Sequence, residues 1–381
     1  MNVLAICRGF IPSVILCGHS QLEYLKNKNK LDYRFKLSNQ VSIDDLLWLD
    51  ILIVIRGDSS FELSLCKWCK KYNKKIIYVL DDNILEIAND LATSDFYSNK
   101  YVHNTIVNIM KISDGFVSPS KKLLEKFGST FDNKFQIIEP SLSPIKEKEK
   151  SIDDKIHIGF AGSIDRGKDV DTILYNALKK IKEKYKDKVI IELFGVKTQI
   201  AEELNIVQHS FLDSYEKYQN QMKEYNWDIG LAPLPDSEFY TFKHYNKLIE
   251  YSSYGIAGIY SNVFPYKYAV INNLNGLLVE NTTDDWFNAI STLIENINLR
   301  KQIQNECINE ANSIFSLEKA SNELLLFLNN FELTSKNPSN KFILFIKRKY
   351  WRFKNKFFII FSLGFKSPIV IIKKAINKLK K

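Results

Sequence analysis

Apolar runs of four to seven residues recur along the chain, separated by stretches whose apolar positions return every three or four residues. Runs without strict alternation are expected of strands buried on both faces, as in parallel sheets covered by crossover helices. The pattern occurs twice. The first set of predicted strands is Asn2 to Cys7, Asp50 to Ile55, Lys75 to Leu80, Gly115 to Ser118 and Phe135 to Ile138. The second is Lys155 to Ala161, Val189 to Phe194, Trp227 to Ala232, Ile256 to Tyr260 and Leu277 to Val279. Strand and helix in alternation predict an α/β protein with two doubly wound domains. Between the sets, Glu139 to Asp154 holds two prolines and the charge run Lys146 to Lys150, the composition of a solvated linker. The expected division is a first domain over 1–144, a linker over 145–154 and a second domain over 155–315. A closing helix over 316–333 would return to the first domain, and a tail would occupy 341–381.

At 381 residues, with 45 % hydrophobic and 25 % charged positions, the chain has ample material for two cores. Its net charge of +9 is unevenly placed. Residues 341–381 hold 13 Lys or Arg and no acid; removing these from the 53 basic residues leaves 40 against 44 acidic ones. The body is therefore mildly acidic, and no nucleic-acid partner is expected for it. In the tail, Phe, Tyr, Trp and Ile alternate with Lys and Arg, and Ile369, Ile372, Ile376 and Leu379 form a stripe behind Ser367-Pro368. The longest uncharged run, Phe357 to Phe365, is far short of the ~20 residues that span a bilayer. An anionic membrane surface is the expected partner of this tail. Stacking on nucleic acid or packing on the first domain are the alternatives.

The five cysteines are an odd number, and the chain opens on a strand pattern rather than a basic region followed by a cleavable apolar one. A cytoplasmic protein, peripheral on the inner face of the plasma membrane, is expected. Cys66 and Cys69 lie in the helical stretch Phe61 to Tyr72 and are expected to pack in a core rather than bind metal.

In doubly wound folds ligands sit at the carboxyl ends of the strands, which directs attention to the loops there. One such loop is Gly162-Ser163-Ile164-Asp165-Arg166-Gly167-Lys168. Its glycines let a ligand approach the backbone, and Arg166, Lys168 and the following helix N-terminus suit a diphosphate. Solvated charges on a turn are the alternative. A second candidate is Phe239 to Gly255. At about 100° per residue a continuous helix puts Lys243, Lys247 and Glu250 within an arc of about 60°. Such a face could clamp a nucleotide, lysines on phosphate and carboxylate on ribose, or could be a plain polar stripe. His244, beside Lys243, either faces the ligand or is an exposed helix histidine. His103, His157 and His209 show no metal-like partner in the sequence, and no bound metal is expected.

The run from Ile156 to Phe327 resembles the C-terminal half of a GT-B glycosyltransferase of the glycosyltransferase family 4 type. The resemblance rests on "GFAGS", "WDIGLAPLPDSEF", "FKHYNKLIEYSSYG" and "NNLNGLLVENTTDDW". It implies two Rossmann-like domains facing a cleft, with a nucleoside diphosphate sugar in the second and a glycan or lipid-linked acceptor on the first. It further implies sugar transfer to an acceptor hydroxyl, generally with retention and without a bound metal. A bacterial cell-surface polysaccharide or glycolipid pathway is the natural setting. Glu250 matches the ribose-binding glutamate of the family's EYxxxG segment. The family's second glutamate, eight positions earlier, is here Phe242, and Lys243 fits a "K…K..EY" variant better. Glu238 could stand in for the missing carboxylate. The phosphates would fall to Gly162, Ser163, Arg166, Lys168 and Lys243, with Lys247 sharing that work. In the first domain "KKIIYVLDDNIL" resembles a segment that some members carry at the cleft, which makes Asp81 and Asp82 acceptor-side candidates; a helix cap is the alternative. Gly9, Ser13 and Arg56 occupy equivalent strand-end loops. A nucleotide-sugar epimerase on the same fold and a catalytically silent nucleotide- or sugar-binding module are the competing functions.

Overall fold

The computed structural model describes residues 1–87, 94–148, 153–212, 214–338 and 341–362. Six strands form the first sheet: β1 Asn2–Cys7, β2 Asp32–Leu37, β3 Ile51–Ile55, β4 Lys75–Val79, β5 Gly115–Ser118 and β6 Asn133–Gln136. All pair in parallel, in the order β2-β1-β3-β4-β5-β6. The central strands are buried along nearly their whole length, because helices cover both faces: Leu4, Ile6, Leu52 and Val54 enter one core, and Val3, Ala5, Ile51 and Ile53 the other. That is why the sequence shows continuous apolar runs there.

The second sheet is built the same way from β7 Ile156–Ala161, β8 Val189–Phe194, β9 Val207–His209, β10 Ile229–Ala232, β11 Ala257–Ser261 and β12 Leu277–Val279. Its order is β12-β11-β10-β7-β8-β9. In each sheet the chain starts at an interior strand, winds to one side and then to the other. The winding reverses between β1 and β3 in the first and between β7 and β10 in the second. These crevices are where the carboxyl-end loops diverge and leave room for a ligand.

Two strands escaped the sequence reading, β2 and β9, and each lies at the edge of its sheet. An edge strand carries polar residues on its open side: β2 reads Asp-Tyr-Arg-Phe-Lys-Leu, half of it charged, and β9 has three residues.

The two domains are joined at two crossings. Near the linker, the Ser141 and Ser253 hydroxyls are hydrogen-bonded at 2.7 Å, and the Ser141 N–H donates to the Phe315 carbonyl at 2.8 Å. The helix Leu317–Asn329 then passes back, and its Leu324, Phe327 and Leu328 are buried in the first domain's core. The linker is less solvated than its charge run suggests. Lys148 donates to the Trp227 carbonyl at 2.7 Å and to that of Tyr254 at 3.4 Å, and burial pushes its pKa down to about 8. The last described helix, Lys341–Ser362, packs on the first domain, with Leu344 buried in its core and Trp351 and Phe358 partly so. The stripe expected from Ile369 onward lies outside the described residues.

Candidate functional site

The first domain contributes the loops after four strands to the cleft, β1, β3, β4 and β6. After β1, the chain bends through Pro12–Val14 and a wide turn Ile15–His19, where Gly18 takes φ 145°, a conformation open to glycine and costly for other residues. That bend brings Ser13 into the cleft wall and turns the Cys17 thiol inward; Gly9 does not line the cleft. After β3, Arg56 adopts a left-handed backbone, φ 50°, uncommon for a side-chain-bearing residue. This aims its guanidinium at the two carboxylates that follow β4. Arg56 pairs with both oxygens of Asp81, one contact at 2.8 Å, and with Asp82 at 2.5 Å. Asp81 and Asp82 are therefore held by an arginine rather than acting as a helix cap.

From the second domain, Gly162, Ser163 and Arg166 line the cleft just after β7. A side chain at Gly162 would come within 2.9 Å of the Phe160 ring, so this backbone approach needs glycine. The Arg166 guanidinium is fixed by the Pro233 carbonyl at 2.6 Å and by Asp169 at 3.0 Å, over the Tyr240 ring. Lys168 is exposed outside the cleft lining, and so is Glu238.

The stretch expected as one continuous helix is broken. A short helix Glu238–Thr241 ends before Phe242, and the next begins only at Asn246, running to Ser253. The run Thr-Phe-Lys-His-Tyr is rich in aromatic and β-branched residues of modest helix propensity, and tertiary contacts decide its course. Phe242 packs against the first domain's core cluster, under the Lys126 ammonium. Lys243 therefore shares no helical face with Lys247. It reaches across the cleft to Asp82 at 2.8 Å. His244 is buried, 8 % exposed, rather than displayed on a helix. Burial pushes its pKa down to about 3, so it lines the cleft as a neutral imidazole.

Lys247 and Glu250 do share one face of the second helix, with the ammonium 2.7 Å from the carboxylate. The Tyr218 hydroxyl donates to the same oxygen, Oε1, at 2.6 Å. One carboxylate oxygen is thus engaged by the protein, which fixes the direction of the other.

Together these loops enclose a cleft of about 1210 Å³ between the carboxyl ends of both sheets. It gathers Ser13, Arg56, Asp81, Asp82, Gly162, Ser163, Arg166, Lys243, His244, Lys247 and Glu250. Asp82 is half-buried, and the desolvation this brings would alone raise its pKa, yet Lys243 and Arg56 hold it below the usual carboxylate range. The sequence reading did not single out Glu139. This residue follows β6 and lines the same cleft, 6 % exposed, accepting a hydrogen bond from the Cys17 thiol at 3.3 Å. Burial first, then the neighbouring Asp81 and Asp82, push it up to about 8, so it carries its proton at neutral pH. The available signal was a lone acid beside Pro140 at the end of a predicted strand, which read as the start of the linker. Tyr218, on the helix Tyr215–Tyr225, gave no signal in the sequence beyond helical period.

Among the described residues no group of three or more His, Cys, Asp and Glu has the arrangement of a metal site. Cys66 and Cys69 are buried in the first domain's core, as their helical setting suggested. His209, expected in a connector, ends β9 and bonds Glu192 at 3.0 Å.

No family model and no curated protein matches the sequence. Solved structures do. TarM superposes with a TM-score of 0.53 at 16 % identity over 73 % of this chain, which spans about half (54 %) of TarM's length. HepE of Anabaena, in complex with UDP and glucose, gives 0.60 at 12 % identity, over 87 % of this chain and 100 % of that one. The UDP-GlcNAc 2-epimerase of Neisseria meningitidis, bound to UDP-GlcNAc, gives 0.55 at 13 % identity, over 87 % and 100 %. Likeness of this degree, together with two parallel six-stranded sheets facing a cleft, establishes the architecture as GT-B.

Proposed function

We propose that the protein is a glycosyltransferase that moves a sugar from a nucleoside diphosphate sugar to an acceptor hydroxyl. The observation that carries this reading is the Lys247–Glu250–Tyr218 cluster. It presents an oriented carboxylate in the second domain, within the same cleft as the cations Arg166 and Lys243. Glu250 would accept ribose hydroxyls, and the diphosphate would lie toward Gly162, Ser163, Arg166 and Lys243. Lys243 and Arg166 would stabilise the charge growing on the departing diphosphate, electrostatic help that is largest in a site shielded from water. The cations needed would come from the chain itself, without a bound metal. A cleft of about 1210 Å³ exceeds the ~300–1,000 Å³ of ordinary small-molecule pockets and has room for an acceptor beside a donor. The acceptor would be a glycan or lipid-linked sugar, approaching from Ser13, Arg56 and Asp81, in a cell-envelope polysaccharide or glycolipid pathway at the cytoplasmic side of the membrane. Solved neighbours holding UDP, glucose or UDP-GlcNAc support a nucleotide-sugar ligand.

The test is a thermal-shift comparison of UDP, GDP, dTDP, ADP and CMP without added metal, followed by transfer assays with the matching donor. A ligand at 100 times its Kd stabilises a single-site protein by about 2.7 kcal/mol. A shift by one nucleotide that Glu250→Ala abolishes supports the site; no shift with any of them removes it.

A second reading is favoured by the match to a 2-epimerase over 87 % of this chain and by Glu139 in the cleft, whose pKa burial pushes up to about 8, a group able to exchange protons with a bound sugar. Incubating UDP-GlcNAc with the protein and no acceptor separates the two. Appearance of its C2 epimer by NMR would establish the epimerase.

A further inference from the structure

We propose that the helix Lys341–Ser362 docks the protein on an anionic lipid surface through the face turned away from the first domain. Leu344, Arg348, Trp351, Asn355 and Phe358 recur at four- and three-residue spacing and form one seam. Leu344 is buried at 2 % exposure, Trp351 and Phe358 pack on the first domain's core, and the Ser60 hydroxyl donates to Asn355 Oδ1 at 3.2 Å. That seam, with Arg352 donating to the Asn39 carbonyl at 2.6 Å, holds the helix on the first domain. A second apolar stripe with the same spacing begins at Ile346, about 160° round the helix from Leu344. Ile346 is 52 % exposed, Tyr350 60 % and Phe353 58 %, with Phe345 at 40 % on its border. A helix that satisfied only the first domain would carry polar residues on this side.

The charges around the stripe identify its occupant. Lys347, Lys349, Lys354 and Lys356 are exposed along it, the Lys349 ammonium lies 4.5 Å from the centre of the Phe345 ring, and the helix contains no acid. The 19 residues that follow it add six lysines and again no acid. Apolar and aromatic side chains bordered by ammoniums match an interface of acyl chains under anionic headgroups, where each basic residue attracts the surface. A protein partner or second copy would have to offer an acidic apolar groove, and the mildly acidic body shows no concentrated stretch of acid in its sequence to provide one. No helix of the described residues is long and apolar enough to cross a membrane, so the contact proposed lies along the surface. It does not rest on the sugar-transfer reading and uses none of the cleft residues.

The test is co-sedimentation of the full chain with vesicles of phosphatidylcholine alone or mixed with phosphatidylglycerol. Binding is expected to the mixed vesicles only, and to fall as salt rises. Ile346→Glu with Tyr350→Glu should lower the partition coefficient by at least tenfold, with an unchanged melting temperature because both side chains are exposed. Lys347→Gln with Lys354→Gln should lower it about fivefold per lysine and flatten the salt dependence. Overturning results are wild-type protein that binds neither vesicle, or Ile346→Glu with Tyr350→Glu that binds as well as wild type. A concentration-dependent dimer in sedimentation velocity, lost in that variant without any vesicle binding, would overturn it in favour of a second copy. RNA binding that the same variant abolishes, again without vesicle binding, would assign the face to nucleic acid instead.

Discussion

Glu139 and Glu250 show how two carboxyls of one cleft acquire different surroundings. Glu250 accepts from Lys247 and Tyr218, donors that fix the direction of its carboxylate. Removing the phenol hydroxyl in Tyr218→Phe should loosen that orientation and weaken UDP binding about three- to tenfold by calorimetry, with the fold intact; an unchanged Kd would separate Glu250 from the ligand. Glu139 is met by a thiol, and burial pushes it up to about 8. In the unfolded chain it ionises near the ordinary value of about 4.3. Its folded pKa is raised, so its contribution to stability is fully present below pH ~4.3 and is lost as pH rises toward 8. Glu139→Gln keeps the shape of the protonated side chain without the titration. The variant should melt several degrees above wild type at pH 8 and within about one degree of it at pH 5. A gap that does not narrow on acidification would mean that Glu139 is already ionised in the folded protein. Neither property is legible in the sequence, because each comes from what the fold places opposite the carboxyl.

At the scale of elements, β7, β8, β9 and the residue Trp227 just before β10 meet around Glu192, which is 8 % exposed, accepts two hydrogen bonds and has a third polar group nearby. The Trp227 indole N–H donates to it at 2.8 Å, His209 bonds it at 3.0 Å and the His157 ring lies at 3.5 Å. The nearby Glu192 carboxylate and then Asp153, hydrogen-bonded to the ring at 3.0 Å, raise the pKa of His157 above its ordinary value against an opposing effect of burial. That stabilisation is complete below pH ~6.5 and fades as pH rises through the folded pKa. Glu192→Gln should therefore cost more at pH 6 than at pH 8, about 1–3 kcal/mol in denaturant melts at the lower pH. Equal losses at both pH values would show that the His157 imidazole stays neutral. The strands themselves were plain in the sequence, four of them to the residue, because burial on both faces writes itself as an apolar run. Edge strands β2 and β9 were not, since half their neighbours are water. The break at Phe242–Tyr245 was hidden for another reason: it is stabilised by a contact with the other domain, and local periodicity carries no information about that. The same holds for Lys148, a linker charge whose partners are carbonyls more than 75 residues away.

On the scale of the whole molecule, the cleft is spanned by charge. Lys243 of the second domain meets Asp82 of the first at 2.8 Å, and Lys121, Lys122 and Lys126 lie over the Tyr268, Phe264 and Phe242 rings at 4.3, 5.5 and 4.7 Å. The chain crosses between the domains apart from these contacts, near Ser141, which is hydrogen-bonded to Ser253, and at the helix Leu317–Asn329. Lys243 is thus paired with a carboxylate of the other domain, and on the proposed reading a diphosphate would have to compete with Asp82 for the ammonium. Asp82→Asn keeps the size of the side chain and removes the competitor. If the ion pair only occupies Lys243, UDP should bind about three- to tenfold tighter to Asp82→Asn by calorimetry, with less gain at high salt, where the wild-type pair is already weakened. If the pair instead holds the domains at the separation the ligand needs, the same variant should bind more weakly and show a larger radius of gyration in solution scattering. The two effects act in opposite directions on one Kd. The left-handed Arg56 favours the first, because Arg56 holds Asp81 and Asp82 in place from within the first domain, so the carboxylates would stay ordered if Lys243 left them for a phosphate, as the proposed reading requires.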